Sequence, residues 1–155
     1  MVIAALALAA SAGAQPDRVG AVEAIPIATN ARPGKVFDLD LDLRRGRLVW
    51  DLDVASAGRE FEIRVDARSG KVLRVSRDRT PDPEIALLRS AKVGASKAAR
   101  TSARAVRGGS TTALELERER GTVVWDAEVT TSGGVEYDVI VHARTGDVLS
   151  RRVDD

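Results

Sequence analysis

The sequence contains no cysteine, a single histidine, and only 3% aromatic residues. Without cysteine there is no disulfide, thiol nucleophile, thiolate metal site or lipid-modified cysteine anchor. The lone His142 excludes metal sites that need several histidines. With so few large rings, the core must be built from Val, Leu, Ile and Ala. Small modules of this kind bury limited area, so we expect neighbouring modules to support each other.

The overall charge is close to balanced, at +1 for 155 residues, with 44% apolar and 30% charged residues. This composition is typical of a soluble globular protein and not of a disordered chain. The small net charge gives no general case for nucleic-acid binding. The length fits one ordinary domain or two small ones.

An apolar run from Val2 to Ala12 is followed by Ala12-Gly13-Ala14. Small residues at these positions predict a signal-peptidase cut after Ala14, so we expect residues 1–14 to be a signal peptide. The run is too short for a permanent membrane span. No Lys or Arg precedes it, so we expect the natural start to lie upstream of Met1. The alternative is a buried N-terminal helix. The sequence therefore predicts a secreted, periplasmic or cell-envelope protein.

Two long stretches of the chain repeat each other in register. Gly34, Gly46 and Trp50 recur 75 positions later, and Val65 and Gly70 recur after 76 positions. The extra residue falls in the Gly133-Gly134 loop, where an insertion leaves the strand registers untouched. The chain is therefore an internal duplication.

Each copy alternates apolar and polar residues with the period of a half-buried strand. The predicted inward sets of the first copy are Phe37, Leu39, Leu41 and Leu43, then Leu48, Trp50, Leu52 and Val54, then Phe61, Ile63 and Val65, and a short fourth strand is predicted through Val72 and Leu73. Those of the second copy are Leu114 and Leu116, then Val123, Trp125, Ala127 and Val129, then Tyr137, Val139 and Val141, then Val148. Four antiparallel strands with one apolar face need a cover.

A helix before each sheet is the predicted cover. In the second copy it runs from Ser96, as N-cap, to about Val106, with Ala99 and Ala103 facing the sheet. In the first copy Ala24 and Ala28 occupy the matching places, but Pro26 predicts a helix that is kinked or begins late and ends before Pro33. A further short helix is predicted from Asp82 to about Ser90, opened by Pro83.

The predicted fold class is α+β, with two tandem modules that each pack a helix on a four-stranded antiparallel sheet. The expected boundaries are residues 15–75 for module 1, a polar, proline-punctuated linker at 76–83, and residues 84–155 for module 2.

The order of motifs resembles the PepSY family: a helix with Ala24 and Ala28, the segment Pro33-Gly34-Lys35-Val36, paired strands, and then the segment from Val65 to Leu73. The second copy departs from the pattern at Arg107-Gly108-Gly109 and at His142. The resemblance covers nearly all of the chain after residue 14.

The resemblance implies a non-catalytic module. Such modules occur in propeptides of secreted thermolysin-like metallopeptidases, and as stand-alone exported proteins for which peptidase inhibition is proposed. It implies a protein partner, for which a secreted metallopeptidase is the leading candidate, and it brings no cofactor, metal or catalytic residue. The alternative is a structural or accessory scaffold of the cell envelope without a peptidase target. The oligomeric state is not specified by the sequence.

Charge is distributed unevenly along the chain, and this gives the candidate partner-binding residues. The polar faces of the first strands carry Asp38, Asp40, Asp42, Asp51 and Asp53, and the helix of the second copy carries Arg100, Arg104 and Arg107. We expect this asymmetry to orient the copies against each other or against a partner.

Other functions are less well supported by the same residues. A calcium loop starting at Asp38 would need Gly at its sixth position and Glu at its twelfth, which hold Leu43 and Val49. Nucleic-acid binding by the basic helix lacks stacking aromatics and a groove-reading motif. Alternation places Trp50 and Trp125 on the apolar face, as core anchors rather than ligand platforms. No combination of acid, base and nucleophile indicates an enzyme.

Overall fold

A computed structural model describes residues 18–155 of the chain. The elements in chain order are helix α1 (Ala21–Ala31), strands β1 (Lys35–Arg44), β2 (Arg47–Ser56), β3 (Arg59–Asp66) and β4 (Val72–Arg77), a 3₁₀ helix (Pro83–Arg89), helix α2 (Ala95–Ala105), and strands β5 (Gly109–Glu119), β6 (Thr122–Thr131), β7 (Glu136–His142) and β8 (Val148–Val153). We call α1 with β1–β4 module 1, and α2 with β5–β8 module 2. The predicted signal peptide lies outside the described residues. Within them, no helix has both the length and the apolar character needed to cross a membrane.

The α+β class is confirmed, and the eight strands form one antiparallel sheet in the order β4-β3-β2-β1-β5-β6-β7-β8. The two four-stranded sheets are joined edge to edge by β1 and β5, where Leu39 lies opposite Leu114. These two leucines occupy equivalent positions of the repeat, 75 residues apart. The register therefore relates the modules by a local two-fold axis between them. Pairing also protects two strand edges that each module alone would expose.

Both helices pack on the same apolar face of this sheet. Trp50 and Trp125 are fully buried, which confirms them as core anchors. Each indole finds its hydrogen-bond partner in the segment that enters the helix of its own module: Trp50 Nε1 donates to Val19 O at 2.8 Å, and Trp125 Nε1 to Val93 O at 2.9 Å. A buried indole N–H without an acceptor would be unfavourable. These bonds therefore fix the start of each helix over its sheet.

Helix α1 begins before Pro26 and continues through it, so the prediction of a late start is wrong. Pro26 lies on the exposed side of the helix, where its ring meets solvent and only one backbone N–H is lost. The opposite side is held against the sheet by its buried residues Ala21, Ala24, Ile25 and Ala28. The helix ends at Ala31, ahead of Pro33, as predicted.

The N-cap of helix α2 lies two residues earlier than the predicted Ser96. Gly94 holds that position, and no side chain caps the helix there. The buried residues are Ala95, Ala98, Ala99 and Ser102, so Ala98, not Ala99, corresponds to Ala24. The repeat offset is 74 in the helices and 75 in the next strands. One additional residue in module 2, between α2 and β5, accounts for the change.

The segment between the modules returns across the sheet face opposite the two helices. Glu60, on the polar side of β3, accepts a hydrogen bond from the Asp82 amide through its Oε2 at 2.6 Å. Its carbonyl accepts another from the Asp78 amide at 3.0 Å. The predicted short helix is present as a 3₁₀ helix, capped by the Asp82 side chain, which accepts from the Glu84 amide at 2.9 Å. It lies beside β1 and β5, at the junction of the modules.

Two residues predicted to face inward, Leu43 and Val148, are exposed, and so is Leu73 of the predicted fourth strand. Leu73 and Val148 lie on the edge strands β4 and β8 and are 36% and 43% exposed, and Leu43 at the end of β1 is 45% exposed. The helices cover the centre of the sheet, so apolar residues at its outer strands and strand ends remain in contact with solvent.

Candidate functional site

The sheet face opposite the helices carries carboxylates from six of the eight strands. We define the acidic face as Asp38, Asp40, Asp42, Asp51, Asp53, Glu62, Glu115, Glu117, Asp126, Glu128, Glu136 and Asp138. They share one side because the residues between them on each strand point into the core. Since β1 and β5 are paired, the acidic surfaces of the two modules form one continuous face.

Like charges lie directly opposite one another across neighbouring strands of this face. Asp38 faces Asp53 on one side and Glu115 on the other, and Asp40 faces Asp51. Opposed like charges destabilise a sheet. The face therefore holds an unfavourable electrostatic arrangement at the centre of the molecule.

The proton affinities of these groups reflect that arrangement. Burial, followed by repulsion from Asp53 and Glu115, raises the pKa of Asp38 to about 8. Burial and repulsion from Glu60 raise the pKa of Asp53 to about 7. In module 2, burial is the leading cause that raises the pKa of Asp126 to about 6 and that of Glu128 to about 7. Part of the acidic face is therefore protonated near neutral pH, and a cationic partner would favour release of those protons.

A cleft of about 200 Å³ lies at the centre of the acidic face, along the β1–β5 junction. Six carboxylates line it, from Asp38, Asp40, Glu115, Asp126, Glu128 and Asp138, and no Lys or Arg among the described residues does. The backbone of Leu39 and Leu114, at the local two-fold axis, forms its floor. Both modules thus contribute to the same negatively charged depression.

Among the described residues, ion pairs form only at the module 1 end of the acidic face, while in module 2 Arg152 of β8 lies opposite Asp138 without forming an ion pair. Arg64 Nε donates to Asp51 Oδ1 at 2.7 Å, and Arg44 contacts both Asp51 and Asp42, at 3.0 and 3.2 Å. Of the predicted candidates, Asp42 and Asp51 are therefore engaged in ion pairs, whereas Asp38, Asp40 and Asp53 face other carboxylates. The structure brings all five to one surface.

The predicted basic candidates lie elsewhere. Arg100, Arg104 and Arg107 are exposed on and just after α2, which packs on the other side of the sheet. They do not meet the acidic face, and the modules contact each other through β1 with β5 and α1 with α2. The acidic and basic candidates are thus two separate surfaces.

Glu60 and Asp82 belong to the acidic surface but were not among the candidates. Asp82 raises the pKa of Asp38, Asp53 and Glu115, so it lies above the acidic face. Glu60 could have been found from its place in the alternation of β3. The position of Asp82 follows from the path of the linker, for which the sequence holds no signal.

His142 caps the turn between β7 and β8. Its Nδ1 accepts hydrogen bonds from the amides of Arg144 and Thr145, at 3.1 and 3.3 Å. In module 1 the carboxylate of Asp66 does the same for Arg68 and Ser69, both at 2.8 Å. His142 thus lies at a strand end beside a turn, as expected. Within residues 18–155, no group of three carboxylates or imidazoles is placed to hold a metal ion.

Comparison with known proteins bears on both modules. A family model described as "Peptidase propeptide and YPEB domain" (PepSY) matches residues 18–76 and again residues 92–152. The chain is 24% identical over 144 residues to the uncharacterized protein YkoJ of Bacillus subtilis, an alignment that covers 93% of this chain and 80% of YkoJ. A crystal structure of a candidate lipoprotein from Clostridium difficile has the same fold, with a TM-score of 0.51 and 18% identity over 90% of this chain and 96% of that one.

Proposed function

The chain belongs to the PepSY family, and from this premise we propose that it is an exported, non-catalytic protein that binds and restrains a secreted peptidase through its acidic face. The description of the family as a peptidase propeptide supports the class of partner. The apolar run ahead of Ala14, and the likeness to a protein described as a candidate lipoprotein, support export to the envelope or beyond.

The observation that carries the proposal is the continuous acidic face built by both modules. Opposed carboxylates such as Asp38 and Asp53 lower the stability of the free protein, and a surface of this kind is stabilised when Lys or Arg groups of a partner cover it. A large sheet face also presents a rigid contact surface. Both points favour binding of a protein with a basic patch.

Inhibition of the secreted metallopeptidases of the producing organism tests the proposal. The purified protein is added to the chelator-sensitive peptidase fraction of the growth medium, and casein hydrolysis is measured. We expect hydrolysis to fall with added protein, and the effect to weaken as salt is raised. A fraction that cleaves casein at the same rate at every concentration of the protein would contradict the proposal.

A matched pair of variants locates the surface. The triple variant Asp40→Asn, Glu117→Gln and Asp126→Asn removes three charges from the acidic face without touching an ion pair. We expect it to lose about tenfold or more in inhibitory potency. The control is Arg100→Gln with Arg104→Gln, on the other side of the sheet, and it should inhibit as the unmodified chain does. Equal loss in both variants would argue against the acidic face.

The second candidate function is a scaffold of the cell envelope without a peptidase target. The joining of two modules into one eight-stranded sheet favours it, because such a sheet is a rigid spacer between two equivalent ends. Unchanged peptidase activity, together with recovery of one stable non-peptidase partner from the envelope fraction, would support the scaffold over the inhibitor.

A further inference from the structure

A second charged depression lies at the end of module 2, where the β5–β6 turn, the β7–β8 turn and the segment before α2 meet. Its volume is about 590 Å³, within the range of small-molecule sites, about 300–1,000 Å³. We define the cationic cleft by the charged and imidazole side chains that line it: Arg89, Lys92, Arg118, Arg144 and His142. No carboxylate of the described residues lines it.

None of the cations of this cleft forms an ion pair within the described part of the protein. All ion pairs among residues 18–155 belong to module 1 and involve Arg44, Arg47 or Arg64. Arg118 makes a hydrogen bond with the Gly121 carbonyl, which holds it over the β5–β6 turn at 3.3 Å. Four like charges that converge without a counter-ion repel each other, and an anion relieves that repulsion.

The duplicate copy provides an internal comparison for the same place in the fold. In module 1, Asp66 caps the β3–β4 turn and pairs with Arg47 at 3.6 Å. In module 2 the equivalent residues are His142 and Thr122. The turn geometry is kept while both members of this ion pair are replaced by neutral residues, and the cations that line the cleft of module 2 come from other positions and have no carboxylate beside them.

The cleft also offers neutral donors suited to an oxyanion. Ser90 and Thr122, which both carry a hydroxyl, line it beside the cations. Because His142 Nδ1 accepts from the backbone of its own turn, its Nε2–H remains the donor of the ring. Arginine side chains with hydroxyl donors form the typical environment of a bound phosphate.

We propose that the cationic cleft of module 2 binds a ligand bearing more than one phosphate group. The volume exceeds what a single phosphate fills, and the four cations come from three separate segments of the chain, so charges spread along a ligand are matched better than one point charge. The site is separate from the acidic face and does not depend on the proposed peptidase partner.

Titration of the full chain, free of any histidine tag, with inorganic tripolyphosphate tests this proposal. Calorimetry gives the affinity, and the Hε1 proton signal of His142 reports the location, because this is the chain's only histidine. We expect saturable binding at an ionic strength of about 0.15 M, accompanied by a saturable shift of the His142 signal. Absence of saturable binding, or binding that leaves the His142 signal unmoved, would overturn the proposal.

Two variants and one control distinguish a built cleft from general attraction to a basic surface. Arg144→Glu reverses one charge of the cleft, and His142→Asp installs the residue that caps the same turn in module 1, so the fold is kept. We expect each to weaken tripolyphosphate binding about tenfold. The control Arg68→Glu makes the change of Arg144→Glu at the equivalent site of module 1 and should change affinity less than about twofold. An equal loss in the control would overturn the proposal.

Two further arms identify the source and the chemistry of the anion. Vesicles of phosphatidylglycerol that bind the chain, and release it when tripolyphosphate is added, would assign the phosphates to a lipid surface. If the chain binds tripolyphosphate but does not bind the vesicles, the ligand is assigned as a soluble molecule. A poly-glutamate peptide that binds the cleft as tightly as tripolyphosphate would overturn phosphate in favour of a carboxylate partner.

Discussion

The two modules share a backbone and differ in where their charges are neutralised. Each holds a buried tryptophan that donates to the segment before its helix, and each turns after its third strand by a capped loop. Module 1 contains all the ion pairs of the described residues, whereas no arginine of module 2 forms one there, although Arg152 lies opposite Asp138 across β7 and β8. Packing and turn geometry were therefore retained after duplication while electrostatics diverged. Differences in function between the modules are to be sought in their charges.

The helices show the same contrast in packing. Ala28 of α1 corresponds to Ser102 of α2, whose buried hydroxyl donates to the Ala98 carbonyl at 2.8 Å. Pro26, in α1, has no counterpart in α2. Each difference is accommodated locally: the Ser102 hydroxyl has a hydrogen-bond partner, and the Pro26 ring is exposed to solvent. Both helices therefore cover the sheet with small side chains, although the residues at equivalent positions are not identical.

The largest expected effect tests whether the modules unfold as one unit. Trp50→Ala and Trp125→Ala each remove a fully buried ring and should lower the free energy of unfolding by about 3–5 kcal/mol. Because β1 and β5 join the sheets, each variant should destabilise both modules. Urea unfolding followed by circular dichroism measures the loss. In separate Trp50→Phe and Trp125→Phe chains, the fluorescence of the remaining tryptophan should show the same unfolding midpoint as circular dichroism. A fluorescence midpoint that differs from the circular dichroism midpoint would show that the modules unfold independently.

The next largest effect is a difference in the stability lost when each of two glycines at equivalent positions of the modules is replaced by alanine. A Cβ on Gly34 would lie within 3 Å of the Ala55 backbone, with its nearest approach to the carbonyl oxygen. A Cβ on Gly109 would meet a Val129 methyl group most closely, at 2.5 Å, and would approach the nearest backbone atom, the Val106 carbonyl oxygen, only to 2.9 Å. Backbone yields less readily than a side chain, so Gly34→Ala should destabilise by about 3 kcal/mol and Gly109→Ala by about 1–2 kcal/mol. Urea midpoints at matched protein concentration measure the difference. Equal losses would indicate that β1 and β5 approach their neighbours in the same way.

A smaller effect concerns the pH dependence of stability at the module junction. The pKa of Asp38 is about 8 in the fold against 3.8 ordinarily, so the folded chain binds more protons than the unfolded chain between these values. The free energy of unfolding should therefore fall as pH rises from about 4 to about 8. Asp38→Ala installs the residue that module 2 has at Ala113. It should stabilise the chain by about 1 kcal/mol at pH 8 and have little effect at pH 5.

The reciprocal variant is the control for this effect. Ala113→Asp introduces the carboxylate of module 1 into module 2 and should destabilise by about 1 kcal/mol at pH 8. Thermal unfolding across the pH range measures both variants. Asp38→Ala with an unchanged pH profile would show that repulsion at the junction is relieved by solvent.

The smallest effect compares the two turn caps. Hydrogen bonds from the backbone, and the nearby Arg47, hold the pKa of Asp66 below its usual range. Its contribution to stability is therefore present above the ordinary pKa of an aspartate and is lost as pH falls through the lowered value. At neutral pH, Asp66→Ala should lower the thermal midpoint slightly, and by more than His142→Ala, whose hydrogen bonds are longer. A larger loss from His142→Ala would reverse the assignment of the stronger cap.

Much of each module could be predicted from the sequence because it depends on local patterns. Alternation identified the strands and the acidic side chains that point away from the core, including Asp38, Asp40 and Asp53. The residues at which the helices start were harder to predict from the sequence. Ser96 is a good capping residue, yet Gly94 takes the position because the Trp125–Val93 hydrogen bond fixes where the chain enters the helix. Pro26 indicated a break, but its effect depends on which side of the helix meets solvent.

The sequence by itself determined the duplication, the α+β class of each module and the residues of the acidic face, since strand periodicity and turn residues act over short distances. Only the tertiary structure decided that the two sheets are one. That joining depends on pairing between β1 and β5, whose nearest paired positions, Asp40 and Ala113, are 73 residues apart. Backbone hydrogen bonds of this kind leave no signature in the side chains. The same pairing merged two acidic surfaces into one face. The return of the chain past Glu60 then placed Asp82 over that face, and Arg89 and Lys92 at the cationic cleft.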